Sequence, residues 1–395
     1  MTARPAAIRT DHSNPFAHNT IKVRLPAIVR EMLRLNPDLS GEVETALELL
    51  ARSLETDGPI PLHADPVWAM ATAAHAGETW QDAQWFFAET YFYRLIADAV
   101  WWQSARRDPF VPHKLEEITG KAMRATLSIA FELTPEDYRA RLIDRLLRAL
   151  WGNRIDLSLK EVARHGAHGD DDDLLVDDRP SAADLLLNQR GGEVHVIADN
   201  TGTELAMDWL LIDTLLESDG EQEPAAEQVI VHVKAHPTFV SDATRDDALT
   251  LLAELGGRGT ITRGFGPVAA AVAERLQHAL MEGRLVVRED PFWNSPSFLF
   301  EMPEALHDFF SGASLVIQKG DANYRRSVGD ALWDPAASFQ EATAFFPAPL
   351  LALRTLKSDS ILGLPAGLAE ALAVEDPLWR VNGRKAVIQL GGRRD

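Results

Sequence analysis

The chain has 395 residues, 46% hydrophobic and 25% charged, a globular balance with room for two domains or one large domain and an appended lobe. Its 39 basic and 59 acidic residues leave a net charge of −20, which repels nucleic acid and anionic membranes at long range. Cysteine is absent, which excludes disulfides, thiolate metal sites and a cysteine nucleophile. No apolar run approaches the roughly 18 residues that cross a bilayer, and the opening MTARPAAIRTDHSNPFAHNT lacks a signal peptide's apolar segment, so a cytoplasmic enzyme is expected.

From about Phe16 to Lys160 the pattern is helical. IKVRLPAIVREMLRLN and TPEDYRARLIDRLLRALWGN repeat apolar residues at helical spacing, the second with Thr134 as its expected N-cap ahead of Glu136. Between them TWQDAQWFFAETYFYRLIADAVWW concentrates tryptophan and tyrosine and reads as core. Glu89 and Arg94 within it stand five apart, a poor spacing for pairing, and are expected to reach other partners. The stretch RHGAHGDDDDLLVDDRPSAAD follows. Its four consecutive aspartates lack the alternating ligands and distal glutamate of a calcium loop, and His165 and His168 have no evident third ligand. It reads as a solvated, mobile loop without metal.

From about Ser181 the chain alternates strand, loop and helix. EVHVIADN precedes the helix TELAMDWLLIDTLLES, QVIVHVKAH leads through PTFVSDAT into RDDALTLLAEL, and then come RLVVRED, ASLVIQKGDANYR and PLLALRTLKSD. The near-continuous Val, Ile and Leu runs predict strands buried on both faces, as in a parallel sheet covered by helices. The glycines of GGRGTITRGFGP follow no strand directly and read as a flexible loop. The expected organisation is a helical lobe over 1–164, an acidic mobile loop over 165–183 and an α/β/α domain over 184–395.

In open α/β sheets, ligands bind beyond the carboxyl ends of the strands. Four of these ends are polar: Asp199-Asn200, Ser241-Asp242, Lys319-Gly320-Asp321 with Asn323 and Arg325, and Arg354-Thr355 with Lys357. Asp199, Asn200 and Asp242 offer hard oxygen donors of the kind that suit Mg²⁺ or Mn²⁺. Lys319, Arg325, Arg354 and Lys357 are cations able to bind a phosphoryl group. Gly202 permits a tight turn, and the helix after it is expected to aim its positive N-terminus at the same place. A divalent ion beside phosphate-binding cations is the equipment of phosphoryl chemistry, and the ion inverts the local field of a strongly acidic chain.

The combination of ADNTGTE, FVSDAT, KGDANYR and RTLK closely resembles the metal-dependent damage-control phosphatases, in the subfamily with an Arg-Thr-x-Lys motif. RLPAIV, TWQDAQWFFAETYFYRLI, DPF at Asp108 and LWGNRIDLS at Leu150 extend the likeness through the helical half, so it covers most of the chain. The resemblance implies a three-layer α/β/α sandwich with a mostly parallel sheet and an N-terminal all-helical lobe. It implies a phosphatase dependent on Mn²⁺, Co²⁺, Ni²⁺ or Mg²⁺ and acting on small sugar phosphates such as fructose 1-phosphate. Metal ligands fall on Asp199, Asn200 and Asp242, and substrate contacts on Asp199, Asn200, the segment Asp321, Ala322, Asn323, Tyr324, Arg325, and Lys357. Glu204 and Asp242 match positions credited, in a methyltransferase proposal for the family, with binding S-adenosylmethionine. Ala322 departs from the pattern, in which a larger aliphatic residue is common. Asn153 and Asp156 either close the site from the helical lobe or, with Gly152, cap a helix.

Three readings stand at this stage. In a phosphatase, Lys357 and Arg325 hold the phosphoryl charge while either water or Asp199 attacks in line, and the sequence does not choose between them. A carboxyl methyltransferase would need an S-adenosylmethionine loop, and DNTGTE offers one glycine. A sugar-phosphate sensor would keep the cations without needing three metal ligands. Expected partners are a small sugar phosphate, with neither nucleic acid nor membrane; the oligomeric state is left open.

Overall fold

A computed structural model describes residues 4–132, 134–152, 173–218, 220 and 222–393. Its frame is a seven-stranded sheet in the order β1-β7-β6-β5-β2-β3-β4. The strands are β1 Leu174–Asp177, β2 Gly192–Ile197, β3 Ala226–Lys234, β4 Leu285–Asp290, β5 Leu315–Lys319, β6 Pro349–Thr355 and β7 Ala386–Gly392. All neighbouring pairs are parallel except β6 with β7.

Side chains on successive strand residues point to opposite faces, and here each face has its own core. Val194, Val196, Val231, Ile317 and Leu353 join the helices Thr203–Leu216, Arg245–Leu255 and Pro267–Glu282 on one side. Ile197, Val316 and Leu350 on the other side pack with Trp293 and Phe310, while Ala352 and Val387 pack with Tyr324 and Trp379. This two-sided burial makes the central strands read as unbroken apolar runs. The expected three-layer α/β/α sandwich is therefore present.

The N-terminal half is a helical lobe with its own aromatic core around Trp80, Trp85, Tyr91 and Phe92. Its last described helix, Tyr138–Trp151, leaves that core and covers the sandwich helix Thr203–Leu216 through Leu142, Leu146 and Trp209. The Tyr138 hydroxyl donates to the Thr214 carbonyl at 2.8 Å. Asp137, rather than Thr134, caps this helix, accepting from the Ala140 amide at 2.7 Å. Thr134 Oγ1 instead accepts from Arg145 at 2.8 Å.

Three elements depart from the expected pattern. Within the stretch expected to be a loop, Leu174–Asp177 forms edge strand β1 and Arg179–Asn188 a helix, which places β1 beside β7. Strand β7, near the C-terminus, runs antiparallel to β6 and inserts between it and β1. The remaining aspartates of that stretch, 170–172, and His165 and His168 lie outside the described residues. No described helix is long and apolar enough to cross a membrane.

The sheet order fixes where a site can form. From β2 the chain moves outward to β3 and β4, then returns to place β5 on the opposite flank of β2. Connections therefore part in opposite directions at β2, opening a crevice beyond its carboxyl end.

Candidate active site

Asp199 and Asn200 follow β2, and Ser241 and Asp242 follow β3. These two loops are joined by backbone hydrogen bonds from Ala243 to Asp199 and from Thr201 to Ser241, each 2.8 Å, and by a bridge between Asn200 and Asp242. The β3 loop carries local strain, since Phe239 and Val240 hold φ of 47° and 71° without being glycine. Gly320 after β5 has φ +84°, and a Cβ there would stand 1.9 Å from an Asp199 carboxylate oxygen. Only a glycine lets this turn pass so close to the acidic side chain.

These loops and the helical lobe enclose an open cleft of about 180 Å³. Asp199, Asn200, Ser241, Asp242, Asp321, Ala322, Arg325 and Lys357 come from the sandwich, and Phe16, Arg24, Trp85, Glu89, Tyr93 and Phe239 complete the wall. Asp199 and Asp242 are almost fully buried. Burial first, then the neighbouring Asp242 and Glu204 charges, pushes the Asp199 carboxyl well above the usual carboxylate range. Burial also raises that of Asp242, against the pull of Lys234, a buried lysine whose ammonium lies 2.9 Å from Asp242 Oδ2. That contact is an ion pair not aligned as a hydrogen bond, so Asp242 Oδ2 is a buried oxygen held by charge and without an aligned donor. Asn200 Nδ2 donates to Asp199 Oδ2 at 3.0 Å, while its Oδ1 accepts from Ser241 Oγ at 2.5 Å.

Two crowded carboxylates, one with an oxygen that no aligned donor satisfies, and an adjacent amide oxygen form a donor set that fits a hard divalent cation. Among the described residues no cluster of three or more His, Asp or Glu side chains is arranged to hold a metal, so the amide of Asn200 is needed to complete the set.

The cations sort into two kinds. Lys357 is exposed in the cleft, and among the described residues its ammonium has no ion-pair partner; its backbone amide donates to Asp321 Oδ1 at 3.1 Å. Arg325 reaches the cleft, but its guanidinium is gripped by Asp330 at 2.8 and 3.0 Å and by Glu89 at 2.7 Å, over the Trp85 ring. Lys319 and Arg354 are buried behind the cleft wall. Lys319 donates to Asp208 at 2.7 Å and Glu204 at 3.1 Å. Arg354 bonds Asp321 at 2.8 Å and the carbonyls of Ser358 and Ser360, with its guanidinium over Tyr324.

Tyr324 is buried against Gln389, and Asn323 donates to the Ala198 and Lys319 carbonyls; both brace the rim from behind. Glu204 lies beneath the cleft rather than on its wall. The helix N-terminus at Thr203 is not left free. The Glu117 carboxylate of the helical lobe caps it, accepting from the Thr203 amide at 2.8 Å. Asn153 and Asp156 lie outside the described residues.

Sequence reasoning missed Lys234 and Arg24. HVKAH carried the signal for Lys234, since a lysine inside a buried strand needs an acidic partner. Arg24 gave none, because it sits on an ordinary amphipathic helical stretch.

An α/β/α sandwich with an acidic pair, an amide and an unpaired lysine beyond its topological switch defines a hydrolase-like site for a small anion. The sequence profile of the damage-control phosphatase ARMT1-like domain matches residues 20–372, and the chain belongs to that family, and with it to the phosphatases. It is 29% identical to the damage-control phosphatase ARMT1 of Danio rerio, the match covering 98% of this chain and 96% of that one. It is 28% identical to the Homo sapiens protein of that name, covering 99% and 100% respectively. The structure of a DUF89 family protein from Pyrococcus horikoshii matches with a TM-score of 0.50 over 97% of this chain and 99% of that one; at 15% identity this speaks for the fold alone.

Proposed function

We propose that the chain is a divalent-metal-dependent phosphatase of small sugar phosphates, fructose 1-phosphate among them, acting on damaged or surplus metabolites. The observation that carries this reading is the meeting in one cleft of Asp199, Asn200 and Asp242, one carboxylate oxygen without an aligned donor, with Lys357, whose ammonium has no ion-pair partner among the described residues. Asp199, Asn200 and Asp242 would hold Mn²⁺, Co²⁺, Ni²⁺ or Mg²⁺, which when bound supplies Lewis-acid stabilisation of phosphoryl charge. Lys357 takes a phosphoryl oxygen as a compact mobile cation. Arg325 contributes shape and field, because its hydrogen bonds are committed to Glu89 and Asp330. Phe16, Trp85, Tyr93 and Phe239 give the apolar face of a sugar ring a surface to pack on and keep water from that side. The net reaction adds water to the ester and releases the sugar alcohol and inorganic phosphate.

The test is phosphate release from a panel of sugar phosphates by metal-stripped protein, before and after adding each cation. Activity should vanish in chelator and return with the metal. Full turnover in excess chelator, or metal-free methyl transfer without any phosphate release, would overturn the reading.

A further inference from the structure

Glu204 is the second residue of the helix Thr203–Leu216, and its two carboxylate oxygens face different partners. Oε1 accepts from Lys319 Nζ at 3.1 Å, and Oε2 accepts from Asn200 Nδ2 at 3.0 Å. Lys319 is fully buried and is also held by Asp208, one turn further along the same helix, at 2.7 Å. From the helical lobe, Gly152 passes so close that a Cβ there would come within 3.1 Å of Glu204 Cα and Cβ.

An ammonium only donates, so Lys319 demands an oxygen from whatever stands at position 204. A carboxylate can satisfy it and still offer a second oxygen to Asn200. That second oxygen dictates which way the Asn200 amide points. Its nitrogen must turn toward Glu204 and Asp199, and its oxygen toward Ser241 and the cleft. A metal can be ligated by the amide oxygen and not by the amide nitrogen.

We propose that Glu204, oriented by Lys319 and Asp208, is a positioning residue that holds the Asn200 amide oxygen toward the metal site. It touches neither substrate nor metal. The inference rests on the metal reading proposed above and adds to it a chain of command: Asp208 to Lys319, Lys319 to Glu204, Glu204 to Asn200.

Glu204→Gln tests it. The glutamine is nearly the same size, and Lys319 retains Asp208, so the fold should hold. Lys319 would claim the glutamine oxygen, which leaves the glutamine NH₂ facing the Asn200 NH₂. The Asn200 amide then keeps only Asp199 Oδ2 as acceptor for its nitrogen and is driven to turn over, against that one remaining bond, which withdraws its oxygen from the cleft. Mn²⁺ affinity of the metal-stripped full chain, measured by calorimetry and by the paramagnetic resonance of free Mn²⁺, should fall tenfold to a hundredfold, of the order of about 10–100 known for residues behind a metal ligand. The melting temperature without metal should stay level.

The double variant Asn200→Asp with Glu204→Gln restores an acceptor facing the glutamine and keeps an oxygen for the metal. It should recover at least half of the lost affinity on a logarithmic scale. Glu204→Gln binding Mn²⁺ as tightly as the wild type overturns the inference. So does a double variant no better than the single one, because an oxygen returned to position 200 would then not be what the metal had lost. Failure of the wild type itself to bind Mn²⁺ is a different outcome, and it overturns the metal reading together with the inference built on it.

Discussion

Lys319 and Lys357 stand at the ends of adjacent strands, β5 and β6, and the structure uses them in opposite ways. Lys319 still belongs to its strand and points to the face covered by the helix Thr203–Leu216, where Glu204 and Asp208, four residues and one helical turn apart, close on it from the same side. Lys357 lies past the end of β6, where no described helix supplies it a carboxylate, and among the described residues only its backbone is held, by Asp321. What decides between bracing and binding is therefore not the residue type or its distance from a strand end. It is whether a facing helix supplies carboxylates. The same rule places Arg354, tied to Asp321, among the braces.

The sharpest way to break this division is at the acidic centre. Asp242→Asn keeps the size of the side chain and removes a charge that Lys234 uses and that the proposed metal would use. Phosphate release should drop by roughly a thousandfold or more, since Lewis-acid stabilisation amounts to several kcal/mol. Repulsion between Asp199 and Asp242 taken alone would make the metal-free variant more stable. Lys234 reverses that expectation, because it is only 2% exposed and would lose its anionic partner. Thermal unfolding of the metal-free protein should show a loss of about 2–4 kcal/mol. A rise in melting temperature would mean that the carboxylate repulsion outweighs the Lys234 pair.

Lys319→Met tests the bracing side. It leaves Asp208 and Glu204 buried with no cation between them, and Asp208 is already pushed up to about 6 by burial. Breaking a buried ionic cluster by removing one partner costs about 3–5 kcal/mol, so denaturant unfolding should show a loss of that size. Lys357→Ala is the matched experiment on the binding side. Its stability should be unchanged, while kcat/KM falls roughly tenfold to a hundredfold, the loss of one charge-assisted contact of about 1.5–3 kcal/mol. If the two lysines exchanged these outcomes, the division between brace and ligand would be wrong.

The sequence made the rim legible, because strands buried on two faces read as apolar runs and the polar residues ending them stand out. Asp199, Asn200, Asp242 and Lys357 do meet in the cleft. It left the internal pairing of the rim hidden. Arg325 and Glu89 bond across 236 positions, and Glu117 caps Thr203 across 86. Such partners are chosen by how the lobe docks, which no local periodicity encodes. Lys319, Arg325 and Arg354 consequently looked alike as phosphate-binding cations when their charges are spent inside the protein. Strands β1 and β7 were missed for another reason. β1 has four residues beside an acidic stretch, and β7 ends in two glycines, so neither resembles the long apolar runs at the centre of the sheet.

A last, smaller experiment concerns a buried polar group that is neutral rather than paired. His236 follows β3, two residues after Lys234, and is 5% exposed. Its Nδ1 stands 3.1 Å from the Pro237 carbonyl, while its Nε2 is buried without a partner. Burial pushes its pKa down to about 4 from 6.5; the Pro237 carbonyl and Asp98 oppose that shift, and Arg94 and Lys234 add to it. The folded pKa lies below the unfolded one, so the unfolded chain binds the extra proton as the pH falls from about 6.5 towards 4. The stability that His236 contributes is full above the unfolded value and is lost on acidification. Between pH 7 and pH 5 the loss should be about 2 kcal/mol. His195 and His232, also depressed by burial, titrate in the same direction, so the wild-type slope by itself does not isolate His236. The difference between the wild type and His236→Gln does. Unfolding free energies measured at several pH values should show a shallower acid slope in the variant, and identical slopes would mean that His236 takes up its proton without opening the structure.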